Sequence, residues 1–198
     1  MKLSIVATLY RTAPHLAEFH QRCTAAARAL AGEDYEIVLV NDGSPDDSLQ
    51  RALQLTQQDK HLVVADLSRN FGHHRAMMTG LTLAQGELVF LIDSDLEEEP
   101  EYLLAFHQQM QQQACDVVYG VQQSRKGGWF ERVSGEGFWQ AFNWLSGLDL
   151  PRNLITARLM TRRYVDALTR HQEREVFMAG LFHITGFDQR PHIVKKHS

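Results

Sequence analysis

Cysteine is scarce in this sequence, with only Cys23 and Cys115 among 198 residues. The two do not form a CxxC pair, so the sequence indicates neither a zinc site nor a disulfide framework. A reducing cytoplasm is therefore the expected compartment. Basic residues are outnumbered, 20 Lys and Arg against 24 Asp and Glu, which gives a formal net charge of -4. Nucleic acid is not an expected partner, because surfaces that bind it normally carry a basic stripe.

Long hydrophobic runs are also missing. No apolar run approaches the ~18 residues that would cross a bilayer, and the first residues do not form a signal peptide. The last residues, IVKKHS, carry no helix stop, so we expect the natural protein to continue into a membrane or tail region. What is present, 44% hydrophobic and 22% charged residues, is typical of one α/β domain with a real core.

Apolar runs alternate with segments of helical spacing through the first half of the chain. Alternation at this spacing predicts right-handed crossovers and a mostly parallel sheet covered by helices on both faces. The strand runs are continuously apolar, as parallel strands buried on both faces should be. The predicted strands are 2–10, 35–44, 61–68, 87–93 and 116–122, and the predicted helices are 15–31, 45–55, 74–84 and 100–112.

The composition changes after residue 123, so we divide the chain into 1–123 and 124–198, two parts of one domain. Residues 155–168 predict a short strand and then a helix, and we expect the second part to pack over the carboxyl-end edge of the sheet. An aromatic segment with basic neighbours allows two interpretations, contact with a membrane surface or a helix packed on the sheet. Its residues are Arg125, Lys126, Trp129, Phe130, Arg132, Trp139, Phe142 and Trp144.

Acidic residues follow the strand at 87–93 in the stretch LIDSDLEEEPE. Ligands of open parallel sheets bind at the carboxyl ends of the strands. One residue separates Asp93 from Asp95, so on an extended stretch both point to one side, where Mg²⁺ or Mn²⁺ would relieve their repulsion. Alternatively, Asp95 caps the next helix. Glu97–Glu99 are expected to be solvated charges near that helix start.

Two further strand ends carry polar residues. Asp42, in VNDGSPDDS, could accept hydrogen bonds from a ribose or a base, or form an Asx turn before a helix capped by Ser44. No GxGxxG follows the first strand, which disfavours a nicotinamide cofactor. In RNFGHHRAMMTGL, Asn70 and Gly72 precede a helix start that could attract phosphate. His73 and His74, which follow, are interpreted as polar helix-start residues.

These three stretches, in this order and spacing, resemble the inverting family 2 glycosyltransferases of the GT-A fold. The greatest similarity is to the polyprenyl-phosphate (dolichol- or undecaprenyl-phosphate) sugar transferases. The resemblance covers residues 3–123 and continues more weakly beyond them. It implies a GT-A Rossmann-like α/β sheet, with 1–123 as the nucleotide-sugar-binding core and 124–198 as a smaller acceptor-side segment.

The resemblance also implies residue roles. Thr8, Tyr10 and Asp42 would hold the nucleotide base and ribose, with Arg69 and Asn70 nearby. Asp93 and Asp95 would be the DxD pair, with Asp95 binding the Mg²⁺ or Mn²⁺ ion that bridges the sugar diphosphate. The reaction would be an in-line displacement at the anomeric carbon, with inversion.

The chain departs from the family pattern at two places. After the first strand, only Tyr10 survives from a Pro-x-Tyr-Asn-Glu-like run. Lipid-linked relatives carry an Asp-x-Gly-Asp-Phe-Arg-Leu-like segment, where this chain has Asn153 and Thr156 in place of the acids but keeps Arg158. Arg158 could contact a donor or acceptor phosphate, or form a structural ion pair. Glu175, with Glu173 as the fallback, is the proposed replacement base, unless a phosphate acceptor needs none.

The sequence therefore predicts a metal-dependent transferase that moves a sugar from a nucleotide-sugar donor to a polyprenyl-phosphate or saccharide acceptor. Such an enzyme would serve cell-envelope polysaccharide or glycolipid synthesis at the cytoplasmic face of the inner membrane. The sequence does not decide whether it acts as a monomer or as a homo-oligomer. Two alternatives are a nucleotidyltransferase and a non-catalytic nucleotide-sugar-binding domain. A nucleotidyltransferase would need a Gly-rich basic loop after the first strand, and RTAPH fits that description poorly. A non-catalytic domain is suggested because Asn153 and Thr156 replace the acids of the lipid-linked relatives.

Overall fold

The structure is a computed structural model that describes residues 1–122, 153–171, 173 and 176–194. The aromatic segment and Glu175 lie outside these residues, so their interpretations stay predictions. In the described part, no helix is both long enough and apolar enough to cross a bilayer.

Strands and helices alternate through the first part of the chain, as predicted. The strands are β1 (Leu3–Leu9), β2 (Tyr35–Asn41), β3 (Leu62–Asp66), β4 (Leu88–Leu91), β5 (Val117–Gln122), β6 (Leu154–Thr161) and β7 (Gln189–Val194). The helices are α1 (Leu16–Ala31), α2 (Ser48–Thr56), α3 (His73–Leu83), α4 (Tyr102–Gln113), α5 (Arg162–Leu168) and α6 (Met178–Ile184). The sequence did not predict β7, which is short.

The seven strands form one sheet in the order β3-β2-β1-β4-β6-β5-β7. Strand β6 runs antiparallel to both of its neighbours, β4 and β5, whereas the other pairs are parallel. The expectation that the second part packs over the edge of the sheet was therefore wrong for β6. The apolar residues Ala157, Leu159 and Met160 are fully buried, so this segment is stabilised inside the sheet rather than over it.

The core lies on both faces of the sheet. On one face, Phe19 of α1, Ala52 of α2 and Phe106 of α4 belong to one buried cluster with apolar side chains of the strands. On the other face, α3, α5 and α6 contribute side chains such as Met77 and Tyr164. The predicted α/β fold, with helices on both faces of a mostly parallel sheet, is confirmed.

Helix α3 approaches the sheet closely at Gly80, as the small residues of this helix predict. A Cβ atom built at Gly80 would lie 2.5 Å from Cγ1 of Val6 and 3.1 Å from Cγ2 of Val40. Both valines are fully buried, so neither can move aside without disturbing its strand. This contact holds the second half of α3 against β1 and β2.

We expect Gly80→Ala to lower the free energy of unfolding by about 1–2 kcal/mol, because overpacking a buried contact costs more than the helix gains from alanine. Urea unfolding monitored by circular dichroism would measure this change. Thr82→Ala, on the exposed side of the same helix, is the control. If the clash is the cause, Val6→Ala should cost less stability in the Gly80→Ala protein than in the wild type. An unchanged or higher midpoint in Gly80→Ala alone would contradict the packing argument.

Candidate functional site

A cavity of about 370 Å³ opens at the carboxyl ends of β1, β2 and β4. We call it the first cavity. Among the described residues that line it, His73 is the only basic side chain, facing three carboxylates. The lining residues are Thr8, Tyr10, Thr12, Asp42, Asn70, His73, Asp93, Ser94 and Asp95.

Asp42 fastens the loop after β3 to the end of β2. Its two carboxylate oxygens accept hydrogen bonds from the backbone N–H groups of Phe71 (2.7 Å) and Gly72 (3.0 Å). The Asx turn predicted at Asp42 forms instead at Asp46, whose Oδ1 accepts the N–H of Ser48 two residues on. The side-chain oxygen of Asn41 accepts the N–H of Ser44. Asp42 also lines the first cavity, and each carboxylate oxygen keeps a second lone pair with which to contact a ligand.

Helix α2 begins at Ser48, three residues later than predicted, and Ser44 does not cap it. Both serines instead donate their hydroxyls to Oδ1 of Asp46, and Ser48 also donates its N–H. Although burial opposes them, these hydrogen bonds lower the pKa of Asp46 to about 2. The polar residues of SPDDS thus form the turn that leads from the first cavity into α2.

Asp93 and Asp95 both line the first cavity, although β4 ends at Leu91 and the pair lies in a turn rather than on an extended strand. Asp93 is held in place, because Oδ2 accepts the hydroxyl of Thr156 at 2.7 Å. Asp95 is exposed, and its Oδ1 accepts the N–H of Glu97 at 2.9 Å. Asp95 does not cap a helix, since α4 begins only at Tyr102.

His73 joins the ends of β1 and β4 from the first residue of α3. Its Nδ1 lies 3.0 Å from Oγ1 of Thr8, and its Nε2 lies 3.3 Å from Oδ1 of Asp93. The Asp93 carboxylate raises the pKa of His73 above its usual range. The sequence interpretation gave His73 only a helix-start role. The tandem histidines directly after the RNFG turn were the available signal, but nothing in the sequence placed Thr8 and Asp93 beside them.

Glu98 is a correction to the prediction that Glu97–Glu99 are solvated charges. It is only 5% exposed, whereas Glu97 is exposed and Glu99 is half-buried. Oε1 of Glu98 accepts the backbone N–H of Thr156 at 2.8 Å. Burial, and then the negative charge of Asp93, raise the pKa of Glu98 from 4.5 to about 7. The strand pairing of β6 with β4 buries this carboxylate, and that pairing was not visible in the sequence.

A second cavity, also of about 370 Å³, adjoins the first. His73 and Asp93 line both cavities, and Glu98, Thr156 and Arg158 line the second. A third cavity of the same volume shares Arg158 with the second and is more apolar. Its lining includes apolar side chains such as Leu154, Phe182 and Phe187, together with the polar side chains of His183, Asp188 and Gln189. The three cavities adjoin one another in a row that starts at the carboxyl ends of β1, β2 and β4 and continues to Asp188 and Gln189, beside the start of β5.

Arg158 is 3% exposed and lies between the second and third cavities. Its guanidinium carbon is 3.3 Å from the centre of the Phe182 ring, and its Nε donates to the carbonyl of Thr156 at 3.3 Å. Within the described ranges, no carboxylate forms an ion pair with it. Burial lowers the pKa of Arg158 to about 10. The negative charge of Glu98 acts on this cation without contact, but no hydrogen-bonded anion offsets its burial in the described part of the chain, so this position suits an anionic ligand.

Other residues predicted for the site lie outside the three cavities. Arg69 is exposed, and its guanidinium carbon lies 4.5 Å from the centre of the Phe71 ring. Gly72, with φ of 99°, shapes the turn before α3 and donates its N–H to Asp42. Glu173 is exposed, and its Oε1 lies 3.7 Å from Nδ1 of His171. Asn70, in contrast, lines the first cavity.

The first cavity fits a divalent ion that is held jointly by protein and ligand. Among the described residues, no three His, Cys, Asp or Glu side chains converge as a self-sufficient metal site. Asp93 and Asp95 nevertheless line one cavity, and the buried Oδ1 of Asp93 makes no well-formed hydrogen bond. One or two carboxylates together with substrate phosphates are the usual ligands of Mg²⁺. The two aspartates therefore suit an ion that arrives with a diphosphate.

Comparison with known proteins identifies the family. Residues 4–171 match the family model described as Glycosyl transferase family 2. The chain belongs to this family. A Mycobacterium tuberculosis protein that carries the name of a glycosyltransferase is 48% identical over 196 residues, which are 99% of this chain and 57% of that protein. The chain spans little more than half the length of the curated relatives it matches.

Solved structures of similar fold are glycosyltransferases of the GT-A group. The mannosyltransferase PcManGT from Pyrobaculum calidifontis, in complex with GDP-Man and Mn²⁺, has a TM-score of 0.66 at 15% identity, covering 97% of this chain and 55% of that one. S. aureus TarS 1-349, in complex with UDP-GlcNAc, has a TM-score of 0.64 at 16% identity, covering 100% and 59%. At these identities the likeness shows the fold, and the predicted GT-A fold is confirmed.

We expect Glu98→Gln to stabilise the metal-free protein more at about pH 8 than at about pH 5. With a pKa of about 7 folded and 4.5 ordinarily, Glu98 binds protons preferentially in the folded state. The free energy of unfolding therefore falls as the pH rises between these two pKa values, by up to about 3 kcal/mol. The glutamine variant has no such carboxyl and should not lose this stability.

Urea unfolding of both proteins in a chelating buffer would measure this difference across pH. Glu87→Gln removes an exposed carboxylate at the opposite end of β4 and should show no such pH-dependent gain. Equal stability changes for Glu98→Gln at both pH values would contradict the raised pKa.

Proposed function

We propose that this chain is the catalytic part of a metal-dependent, inverting glycosyltransferase that uses a nucleotide-sugar donor. The observation that carries the proposal is the composition of the first cavity. Asp93 and Asp95 line it together with the polar ends of β1 and β2, represented by Thr8 and Asp42. A diphosphate could not approach so many carboxylates unless a cation accompanied it.

The donor's nucleoside would lie in the first cavity, between Tyr10, Asp42 and Asn70. The ring of Tyr10 is 45% exposed, which leaves it available to contact a base. Asp95, and with it Asp93, would hold the Mg²⁺ or Mn²⁺ ion, which when bound neutralises the diphosphate and stabilises it as a leaving group. PcManGT and TarS, which share the fold, hold GDP-Man with Mn²⁺ and UDP-GlcNAc respectively.

In the reaction, an acceptor oxygen attacks the anomeric carbon from the face opposite the diphosphate. The new carbon–oxygen bond forms as the bond from the anomeric carbon to the phosphate oxygen breaks, and the nucleoside diphosphate leaves with the electron pair. His73 lies 3.3 Å from Asp93, between the first and second cavities. A protonated His73 would add positive charge where the diphosphate departs.

We propose a lipid phosphate as the acceptor, in preference to a saccharide. The third cavity places apolar side chains such as Leu154 and Phe187 beside the buried guanidinium of Arg158, which suits a phosphate joined to a hydrocarbon chain. A phosphate is already ionised and needs little base catalysis, so Thr156, which replaces an acid of the lipid-linked relatives, is compatible with this acceptor. A hydroxyl acceptor would instead need a base, for which Glu175, then Glu173, stay candidates.

A polyprenyl-phosphate acceptor would place this reaction at the cytoplasmic face of a membrane, in the synthesis of cell-envelope polysaccharide or glycolipid. The aromatic and basic residues between Arg125 and Trp144 would then contact the membrane surface. A non-catalytic nucleotide-sugar-binding domain is the alternative that the experiments below distinguish.

Thermal melting against UDP, GDP, ADP and CDP, each with Mn²⁺ or with chelator, tests the donor site. A nucleotide at a hundred times its Kd should add about 2.7 kcal/mol, or a shift of about 5–10 °C, and the shift should require the metal. Asp95→Ala should lose the metal-dependent part. Asp34→Ala, an exposed aspartate at the other end of the sheet, should keep it.

The same variants separate an enzyme from a binding domain. Release of nucleoside diphosphate from the matching nucleotide sugar, or transfer to an acceptor, should disappear in Asp95→Ala. Full metal-dependent activity in that variant would refute the site assignment. Metal-dependent binding with no turnover on any acceptor class would instead favour the non-catalytic alternative.

Arg158→Leu should lower kcat/KM for undecaprenyl phosphate by about 10–100-fold, because charged hydrogen bonds to the acceptor phosphate are lost. Donor binding should stay within about twofold. Arg158→Lys keeps the charge and should retain part of the activity. Arg51→Leu removes an exposed arginine that pairs with Asp47, and as the surface control it should leave kcat/KM unchanged. An unchanged kcat/KM in Arg158→Leu, or transfer to undecaprenol as fast as to its phosphate, would contradict a phosphate contact.

A further inference from the structure

Glu98 turns inward from a run of three glutamates because the chain reverses just before it. Leu96 has φ of 64°, in the left-handed region that bulky residues rarely adopt. Strain of this kind persists only where the surrounding structure enforces it, and it is frequent at binding sites. The consequence here is that Glu97 is exposed to solvent, whereas Glu98 is 5% exposed and lines the second cavity.

The carboxylate of Glu98 is satisfied on one side only. Oε1 accepts the backbone N–H of Thr156 at 2.8 Å, and the N–H groups of Asp93 and Ala157 lie close enough to lower the pKa of the carboxyl. Oε2 is nevertheless buried and makes no hydrogen bond of ordinary geometry within the described part of the chain. Native proteins pair nearly all buried polar atoms, because an unpaired one keeps the full cost of losing its water. An unpaired acceptor in the wall of a cavity therefore points to a ligand that brings a hydrogen-bond donor.

The position of the second cavity indicates which part of a ligand would bring that donor. This step depends on the proposed function, which places the nucleoside in the first cavity and the diphosphate near Asp93 and Asp95. Asp93 and His73 line both cavities, so the second cavity begins where the diphosphate ends. The sugar is attached to the far phosphate, and a cavity of about 370 Å³ is large enough to hold a hexose.

We propose that Glu98 recognises the transferred sugar, and that its Oε2 accepts a hydrogen bond from one of the sugar's hydroxyl groups. Glu98 is thereby a specificity-determining residue of the donor site. A site built around a buried carboxylate acceptor rejects a sugar that lacks the matching hydroxyl, because the carboxylate is then left unpaired. The chain should therefore prefer donors that present a free hydroxyl at one ring position.

Calorimetric titration of the Mn²⁺-loaded protein with UDP, GDP, UDP-glucose, UDP-GlcNAc, UDP-galactose and GDP-mannose tests this proposal. Glu98→Gln should weaken binding of the accepted nucleotide sugar by roughly 10–100-fold, the loss expected for a hydrogen bond to a charged group. It should leave the Kd of the corresponding free nucleoside diphosphate within about twofold. Glu87→Gln, the same substitution at the exposed residue just before β4, should change neither.

Donors with a single hydroxyl replaced by fluorine locate the contact, since fluorine cannot donate a hydrogen bond. One fluorinated donor should bind the wild-type protein roughly 10–100-fold more weakly than the unmodified donor does. For Glu98→Gln, the same fluorinated donor and the unmodified donor should bind about equally, because the two changes remove the same interaction. Independent, additive losses at every ring position would overturn the proposal.

The outcomes also separate this proposal from the proposed function. If Glu98→Gln weakens the free nucleoside diphosphate and the nucleotide sugar equally while remaining folded, Glu98 is a structural residue and only this inference fails. If the wild-type protein binds no nucleotide and no nucleotide sugar, the proposed function fails, and the inference that rests on it fails too.

Discussion

The contacts of Thr156 with the loop after β4 hold the candidate site together. Its hydroxyl donates to Asp93 at 2.7 Å, and its N–H donates to Glu98 at 2.8 Å. Because β6 runs antiparallel between β4 and β5, a residue far along the chain is carried to the end of β4. The first cavity thereby gains a fixed Asp93 and the second a buried Glu98, while Arg158, two residues beyond Thr156, lies at the entrance to the third.

Charge, rather than shape, distinguishes the three cavities. Carboxylates surround the first, with His73 as the one basic side chain in its described lining. The third joins the buried guanidinium of Arg158 to apolar side chains, with the carboxylate of Asp188 also in its lining. Cavities that differ in charge sort ligands by the ligands' own charge distribution. A metal-bound diphosphate suits the first cavity and a bare phosphate suits the guanidinium of Arg158, which keeps two anionic substrates apart.

Local pattern was enough to predict the alternating strands and helices, the sheet class and the polar strand ends, because these depend on neighbouring residues. Asp93 and Asp95 were recognised for the same reason. Pairings between distant segments were not recognised, because they arise only in the folded sheet. They are the insertion of β6 between β4 and β5, the contact of Thr156 with the buried Glu98, and the contacts of His73 with Thr8 and Asp93. LEEEPE is acidic throughout, and composition cannot tell which glutamate a turn at Leu96 will bury.

The clamp between Asp42 and the loop after β3 has a consequence for how fast ligands bind. The N–H groups of Phe71 and Gly72 are held by the carboxylate, and Gly43 approaches Asn70 so closely that a Cβ atom would lie 2.5 Å from its backbone nitrogen. Two loops that are already fastened together have little conformational freedom left to lose when a ligand arrives. Association at this end of the cavity should therefore be limited by encounter and desolvation, not by a slow rearrangement of the loops.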